Sequence, residues 1–151
     1  KSVIKSNENR KILHTKRIET ILQKKIKGKK IAFLGVTFKP NTDDMRDSTS
    51  LYMIPYLAKK GAYITYYDPT GEKDNFKNIN RCKYLNSSLL ACKKADLIVL
   101  HTEWDEFKSI DFKKLSQKNN IKVYDLRNLY NYKDMKKKKI NYFSIGRPNS
   151  I

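Results

Sequence analysis

The sequence predicts an α/β domain: a parallel sheet with flanking helices, preceded by one long N-terminal helix. Three observations carry this. Short apolar runs that read as strands alternate with helical stretches along most of the chain. The runs are close to continuously apolar, such as IAFLGV and LIVL, as expected of strands covered on both faces. Parallel neighbours need a crossover between them, and the intervening helices supply it. The combination is Rossmann-like, and in such sheets ligands sit beyond the carboxyl ends of the strands.

Taken in order, residues 3 to 27 contain no Pro or Gly, and Ile18, Ile21, Leu22 and Ile26 recur at helical spacing, which predicts one long helix closed by Gly28. A helix that starts without a cap at the edge of the chain is expected of a piece cut from a longer protein. IAFLGVTF (31 to 38) reads as the first strand, SLYMIPYLAKKG (50 to 61) as a helix stopped by Gly61, and AYITYYDP (62 to 69) as a second strand ending at Asp68. SSLLACKKA (87 to 95) is predicted helical, DLIVLHT (96 to 102) the third strand, DFKKLSQK (111 to 118) a short helix and IKVYDL (121 to 126) the fourth strand. NYFSIG (141 to 146) is expected as a last short strand. The segments at carboxyl ends are then FKPNTDDMRDS, YDPTGE, HTEWDEF and RNLYN.

At 151 residues the chain suits one domain or a fragment of something larger. An apolar share of 39% excludes a disordered chain, and the apolar runs are too short to cross a bilayer. The first thirty residues hold no apolar core of a secretory signal. Cys82 and Cys92 lie in no CxxC or Cys/His cluster, so no metal site or disulfide framework is expected, and a reducing, cytoplasmic setting fits. Lys and Arg number 33 against 15 acids, a net +18 that attracts phosphates of any kind. Lysine is used so evenly that most of it, including Lys136 to Lys139, reads as solvated surface. A basic nucleic-acid-binding module is therefore an alternative supported by charge but by no motif.

Only Gly35 stands where a dinucleotide fold would place GxGxxG, so the NAD pyrophosphate fingerprint is missing. A polar loop with Lys39, Asp43, Asp44, Arg46 and Ser48 replaces it. Lys39 and Arg46 can neutralise phosphates, Asp47 or Ser48 can cap the next helix, and that helix's N-terminus can add N–H donors. Alternatively Asp43, Asp44 and Arg46 merely pair with one another in a turn. In HTEWDEF the acids around Trp104 can form an acid/base pair, but Trp104 and Phe107 read as packing and Glu103 as structural. His101 ends a buried strand and is expected in a hydrogen-bonded structural role, whereas His14 is expected on the exposed face of the first helix.

FKPNTDDMRDS, followed in order by YDP, ADLIVLHTEWDEF, YDLRN and YFSIGRP, resembles the C-terminal UDP-binding domain of the UDP-glucose/GDP-mannose dehydrogenase family over residues 29 to 148. TEWDEF with DLRN is most similar to the UDP-glucose branch. Residues 3 to 28, with SNENRK, resemble the end of the helical segment that joins this domain to the rest of such an enzyme. The resemblance implies two parts: residues 1–28 as the end of a central connecting helix, and residues 29–151 as a UDP-sugar-binding Rossmann-like domain. It also implies an NAD-dependent, two-step oxidation of UDP-glucose to UDP-glucuronate through a cysteine thiohemiacetal. The family's NAD-binding glycines and its catalytic Cys in GGxCxxKD are absent here, and neither Cys82 nor Cys92 matches. No catalytic residue is thus expected in this chain, which alone is expected to be inactive, with NAD held mainly by an N-terminal domain. By the same match Lys39 and Arg127 are expected at the UDP-sugar, and Arg46 is expected to reach toward NAD, while Asp43 and Asp44 fix the loop. The implied partners are UDP-glucose, the N-terminal NAD-binding half, and further copies through the central helix, with no specific nucleic acid and no membrane. A stand-alone UDP-sugar-binding partner subunit is the alternative to a fragment or split chain.

Overall fold

The computed structural model describes residues 2–145, with side chains from residue 8 onward. Six strands, β1 (Lys30–Leu34), β2 (Tyr63–Tyr67), β3 (Cys82–Tyr84), β4 (Leu97–Leu100), β5 (Lys122–Asp125) and β6 (Asn141–Ser144), form one sheet in the order β3-β2-β1-β4-β5-β6. All five pairings are parallel. Helices α1 (Ser2–Ile21), α2 (Ser50–Lys59), α3 (Ser88–Cys92), α4 (Phe112–Ser116) and α5 (Tyr132–Lys137) cover it. This is the doubly wound, Rossmann-like arrangement that the strand–helix rhythm predicts, with the order reversing between β1 and β4.

Alternation along the two central strands divides the core. Ile31, Phe33, Leu97 and Val99 pack with α1 and α2 on one face, while Ala32, Leu34, Ile98 and Leu100 pack with residues of α3, α4 and α5 on the other. Each fully buried Leu, Ile or Phe contributes about 1.5–3 kcal/mol. At the carboxyl edge the first strand stops at Leu34, because Gly35 turns away with φ +77°. A Cβ there would lie 2.7 Å from Cβ of Thr102, so β1 and the exit of β4 approach as closely as they do only because residue 35 has no side chain.

The first helix ends earlier than its apolar spacing predicts. It stops at Ile21, and Gln23 (φ 55°) and Lys24 (φ 60°) turn left-handed. The Gln23 amide donates to Thr20 O at 3.0 Å and the Lys24 amide to Glu19 O at 2.7 Å, a Schellman closure made without glycine. Gly28 instead anchors the entry to β1, its amide donating to Gly61 O at 2.9 Å. The turn swings Leu22 and Ile26 into the cluster that already holds Ile18 and Ile21, so α1 shares its core with β1 and α2.

Two elements carry no clear signal in the sequence. The edge strand β3 is three residues with no buried apolar position, recruited by the amide of Ile64 donating to Arg81 O at 2.6 Å and that of Leu85 to Tyr66 O at 2.9 Å. DLIVLHT is therefore the fourth strand in the chain, where the apolar pattern predicts the third. The lysine run ending at Lys139 stays exposed, but its first half closes α5, capped by Asn131 and anchored by buried Met135. The end of NYFSIG and the GRP of the last motif lie outside the described residues. Among the described residues, no helix is long and apolar enough to cross a membrane.

Candidate functional site

A cleft of about 330 Å³ opens at the carboxyl ends of β4 and β5. Arg10 and His14 of α1 line it from one side, and Phe38, Thr49, His101 and Arg127 from the loops beyond the strands.

Arg127 is positioned by its own loop. Asp125, the fully buried last residue of β5, accepts the amides of Arg127 (3.0 Å), Leu129 (2.7 Å) and Tyr130 (3.2 Å) and the Tyr142 hydroxyl (2.6 Å). The loop curls over this carboxylate and turns Arg127 back across the strand ends. There Nε donates to His101 O at 2.9 Å and Nη2 to Phe38 O at 3.0 Å, while Glu103 lies 3.9 Å from Nη1. Two of five guanidinium N–H groups are thereby fixed on carbonyls, which orients the remaining fork.

His101 is structural, as its place at the end of a buried strand predicts. The Thr102 hydroxyl donates to Thr37 O at 2.7 Å, so it can only accept from Nδ1 of His101, 2.9 Å away. Nε2 is then the acceptor for the Thr49 hydroxyl at 2.9 Å, and the network assigns a neutral Nδ1–H imidazole. Burial, with Arg127 nearby, holds its pKa down at about 3.

His14 differs from expectation. It is 6% exposed, with Nδ1 3.0 Å from the Tyr124 hydroxyl. Burial first, then Arg10, Arg127 and Arg17, lowers its pKa to about 4. The reason is legible in hindsight: residue 14 precedes Ile18 by four, on the same helical stripe as the core positions.

The loop after β1 also departs from expectation. The hydroxyls of Ser48 and Ser50 both donate to Val36 O at 2.6 Å, and the Ser50 amide uses Ser48 Oγ at 3.3 Å. The amides of Leu51, Tyr52 and Met53 go to Ser48 O and Thr49 O. The first turn of α2 therefore offers no free N–H to an anion, and Thr49 in the cap position turns to His101 instead. Lys39 is exposed on this loop, next to Phe38. Arg46, also exposed, forks onto Asp44 with Nε and Nη2 at 2.9–3.2 Å, which holds that carboxyl at a pKa of about 2. Asp44 further accepts the Arg46 amide at 2.9 Å, so it fixes the loop, as the family match implies. Of the three predicted binding residues, Arg127 lies in the cleft lining, whereas Lys39 and Arg46 stand on the loop beside it.

Phe107 is buried and Trp104 packs against the second core cluster. Burial pushes both thiols, Cys82 and Cys92, up to about 12, so neither forms a nucleophilic thiolate near neutrality. Among the described residues, no three His, Cys, Asp or Glu side chains group as a metal site.

Fold and cleft together place the chain among doubly wound α/β domains with their site at the carboxyl edge of the sheet. Residues 32–132 match the sequence model of the UDP-glucose/GDP-mannose dehydrogenase family, UDP binding domain, and the chain belongs to this family. It is 40% identical over 146 residues to a UDP-glucose 6-dehydrogenase of Rhizobium meliloti, covering 95% of this chain and 33% of that protein. A UDP-glucose 6-dehydrogenase of Rickettsia conorii is 38% identical, over 97% of this chain and 34% of its own length. The chain thus spans about a third of the curated relatives it matches. Among solved structures, the UDP-glucose dehydrogenase of Pyrobaculum islandicum superposes with a TM-score of 0.74 at 21% identity, over 94% of this chain and 30% of its own. The NDP-N-acetyl-D-galactosaminuronic acid dehydrogenase of Methanosarcina mazei gives 0.75 at 26% identity, over 92% and 29%.

Proposed function

We propose that this chain is the C-terminal UDP-sugar-binding part of an NAD-dependent UDP-glucose 6-dehydrogenase, with residues 29–151 as the binding domain and residues 1–28 as the end of the connecting helix. The observation that carries this reading is Arg127, a guanidinium fixed by two carbonyls on the lining of a cleft at the carboxyl edge, in a chain of this family. Arg127 forks onto diphosphate or sugar oxygens, and Lys39 adds a compact charge from the adjoining loop. Arg46 lies farther out and reaches toward NAD held by an N-terminal domain. Both thiols here, half-buried Cys82 and buried Cys92, stay protonated, so the oxidation itself needs groups supplied by that other part, and this chain alone is inactive.

Calorimetry with UDP-glucose tests the binding role: Lys39→Ala and Arg127→Ala should each weaken binding by on the order of 1.5–3 kcal/mol. Unchanged affinity in both removes the assignment. NADH absorbance tests the division of labour. This chain alone should give none from UDP-glucose, and mixing it with a separately expressed N-terminal half should restore turnover, with Arg46→Ala raising KM for NAD.

A further inference from the structure

The lining of the cleft contains a buried histidine whose outer nitrogen has no partner among the described residues. His14 is more than nine-tenths buried and spends Nδ1 on the Tyr124 hydroxyl, yet Nε2 has no partner among the described residues. The tautomer follows from its neighbours. The Arg17 guanidinium sits over Tyr124, 5.7 Å from the ring centroid, and an all-donor group there favours a phenol that gives its own proton to His14. With the Tyr124 hydroxyl donating to Nδ1, Nε2 carries the hydrogen and is a donor. At a pKa of about 4 it donates as a neutral imidazole at pH 7.

The other polar side chains of the lining agree in kind. Arg10 lies one turn earlier on the same face of α1, and Arg127 stands beyond β5. The Thr49 hydroxyl is committed as a donor to His101, whose two nitrogens are both used. Glu103, the carboxylate nearest Arg127, does not belong to the lining. The groups that remain free to donate are His14, Arg10 and Arg127. A diphosphate presents acceptors alone, which suits three donors that converge on one lining.

We infer that His14 is a ligand-contacting residue: its Nε2–H, with Arg10 and Arg127, grips the diphosphate of a nucleoside diphosphate. The inference deepens the UDP-sugar reading and rests on it for the identity of the nucleotide. It makes α1 one wall of the site.

The experiment uses the whole chain with three probes, UDP, uridine and inorganic pyrophosphate, each titrated by calorimetry and followed by the imidazole nitrogen resonances of His14. His14→Phe keeps bulk and removes the donor, while His14→Gln returns an N–H. Affinity for UDP and pyrophosphate should fall about tenfold in His14→Phe, recover in part in His14→Gln, and stay unchanged for uridine. The Nε2 resonance of the wild-type chain should shift on adding pyrophosphate. Because the donor is neutral, its contribution should stay level from pH 6 to pH 8, even with Arg10, Arg17, Arg127, His101 and Tyr124 facing it. Unchanged UDP affinity in a folded His14→Phe overturns the inference. Should that variant not fold, the wild-type resonance decides, and no shift with either UDP or pyrophosphate overturns it equally. Loss of UDP binding in Arg127→Ala with a still His14 resonance sinks this inference and leaves the functional reading standing. Binding of pyrophosphate with a shifted resonance, but no binding of UDP, does the reverse.

Discussion

Asp68, just after β2, and Asp125, at the end of β5, are both fully buried carboxylates that accept backbone amides, but they shape the sheet edge in different ways. Asp68 reaches sideways to the neighbouring strand's loop, taking the Val36 amide at 2.9 Å, and also takes the amide (2.9 Å) and hydroxyl (2.5 Å) of Thr70. In a dinucleotide-binding domain an acid near this place hydrogen-bonds a ribose hydroxyl. Here the chain itself occupies it. Asp125 reaches forward into its own loop, collects three amides and a hydroxyl, and throws Arg127 over the cleft. The lesson is that an acid at a strand end seals or builds a site according to which amides it gathers.

The comparison can be broken by mutation. Asp125→Ala strands four donors and should cost on the order of 4 kcal/mol, with Asp68→Ala, which strands three, costing on the order of 3 kcal/mol, read from urea unfolding. Equal or inverted losses would end the distinction. Gly35→Ala meets both a left-handed φ and Thr102, and should cost about 3 kcal/mol. Gly28→Ala, at φ +80° but in open space, isolates the backbone term at about 1 kcal/mol.

Acid sharpens the picture on the cleft side. Unfolded imidazole takes its proton near pH 6.5, but the folded groups do so only near 4 for His14 and 3 for His101. Between those values the unfolded chain binds more protons, so stability falls as pH drops below about 6.5, by up to about 1.4 kcal/mol per unit for each histidine. Unfolding midpoints measured from pH 7 to pH 5 should therefore decline, and His101→Gln should flatten the slope. The smallest effect is expected from Asp44→Asn. That acid is exposed and holds only its own loop, so the urea midpoint at pH 7 should stay where it is.

Strand–helix alternation was enough to place the central elements, because β1 and β4 are buried on both faces and their residues have no reason to be polar. β3 was not legible, since its half-exposed CKY gains its conformation from the β2 edge and not from its own composition. The early stop of α1 was equally hidden: Gly28 is the residue a cap rule selects, yet Gln23 takes the left-handed turn. Of the site, Arg127 stood out by motif, whereas its support from Asp125 is a matter of loop curvature that spacing does not encode. The burial of His14 is not legible, because the lysines and arginines around it disguise the apolar stripe on which it lies.

Helix α1 is locked in phase at its lower end. Ile18, Ile21 and Leu22 are held in the core, Lys122 reaches Ile21 O at 3.3 Å, and the left-handed closure at Gln23 allows no further turn. Everything upstream inherits its compass bearing from there. One residue inserted between His14 and Ile18 would leave the core in place and rotate both His14 and Arg10 by about 100° about the helix axis, away from the cleft. The hydrophobic seam of the helix thus acts as a clock for its polar end, and the length of chain between the two is as much a part of the site as the side chains it aims.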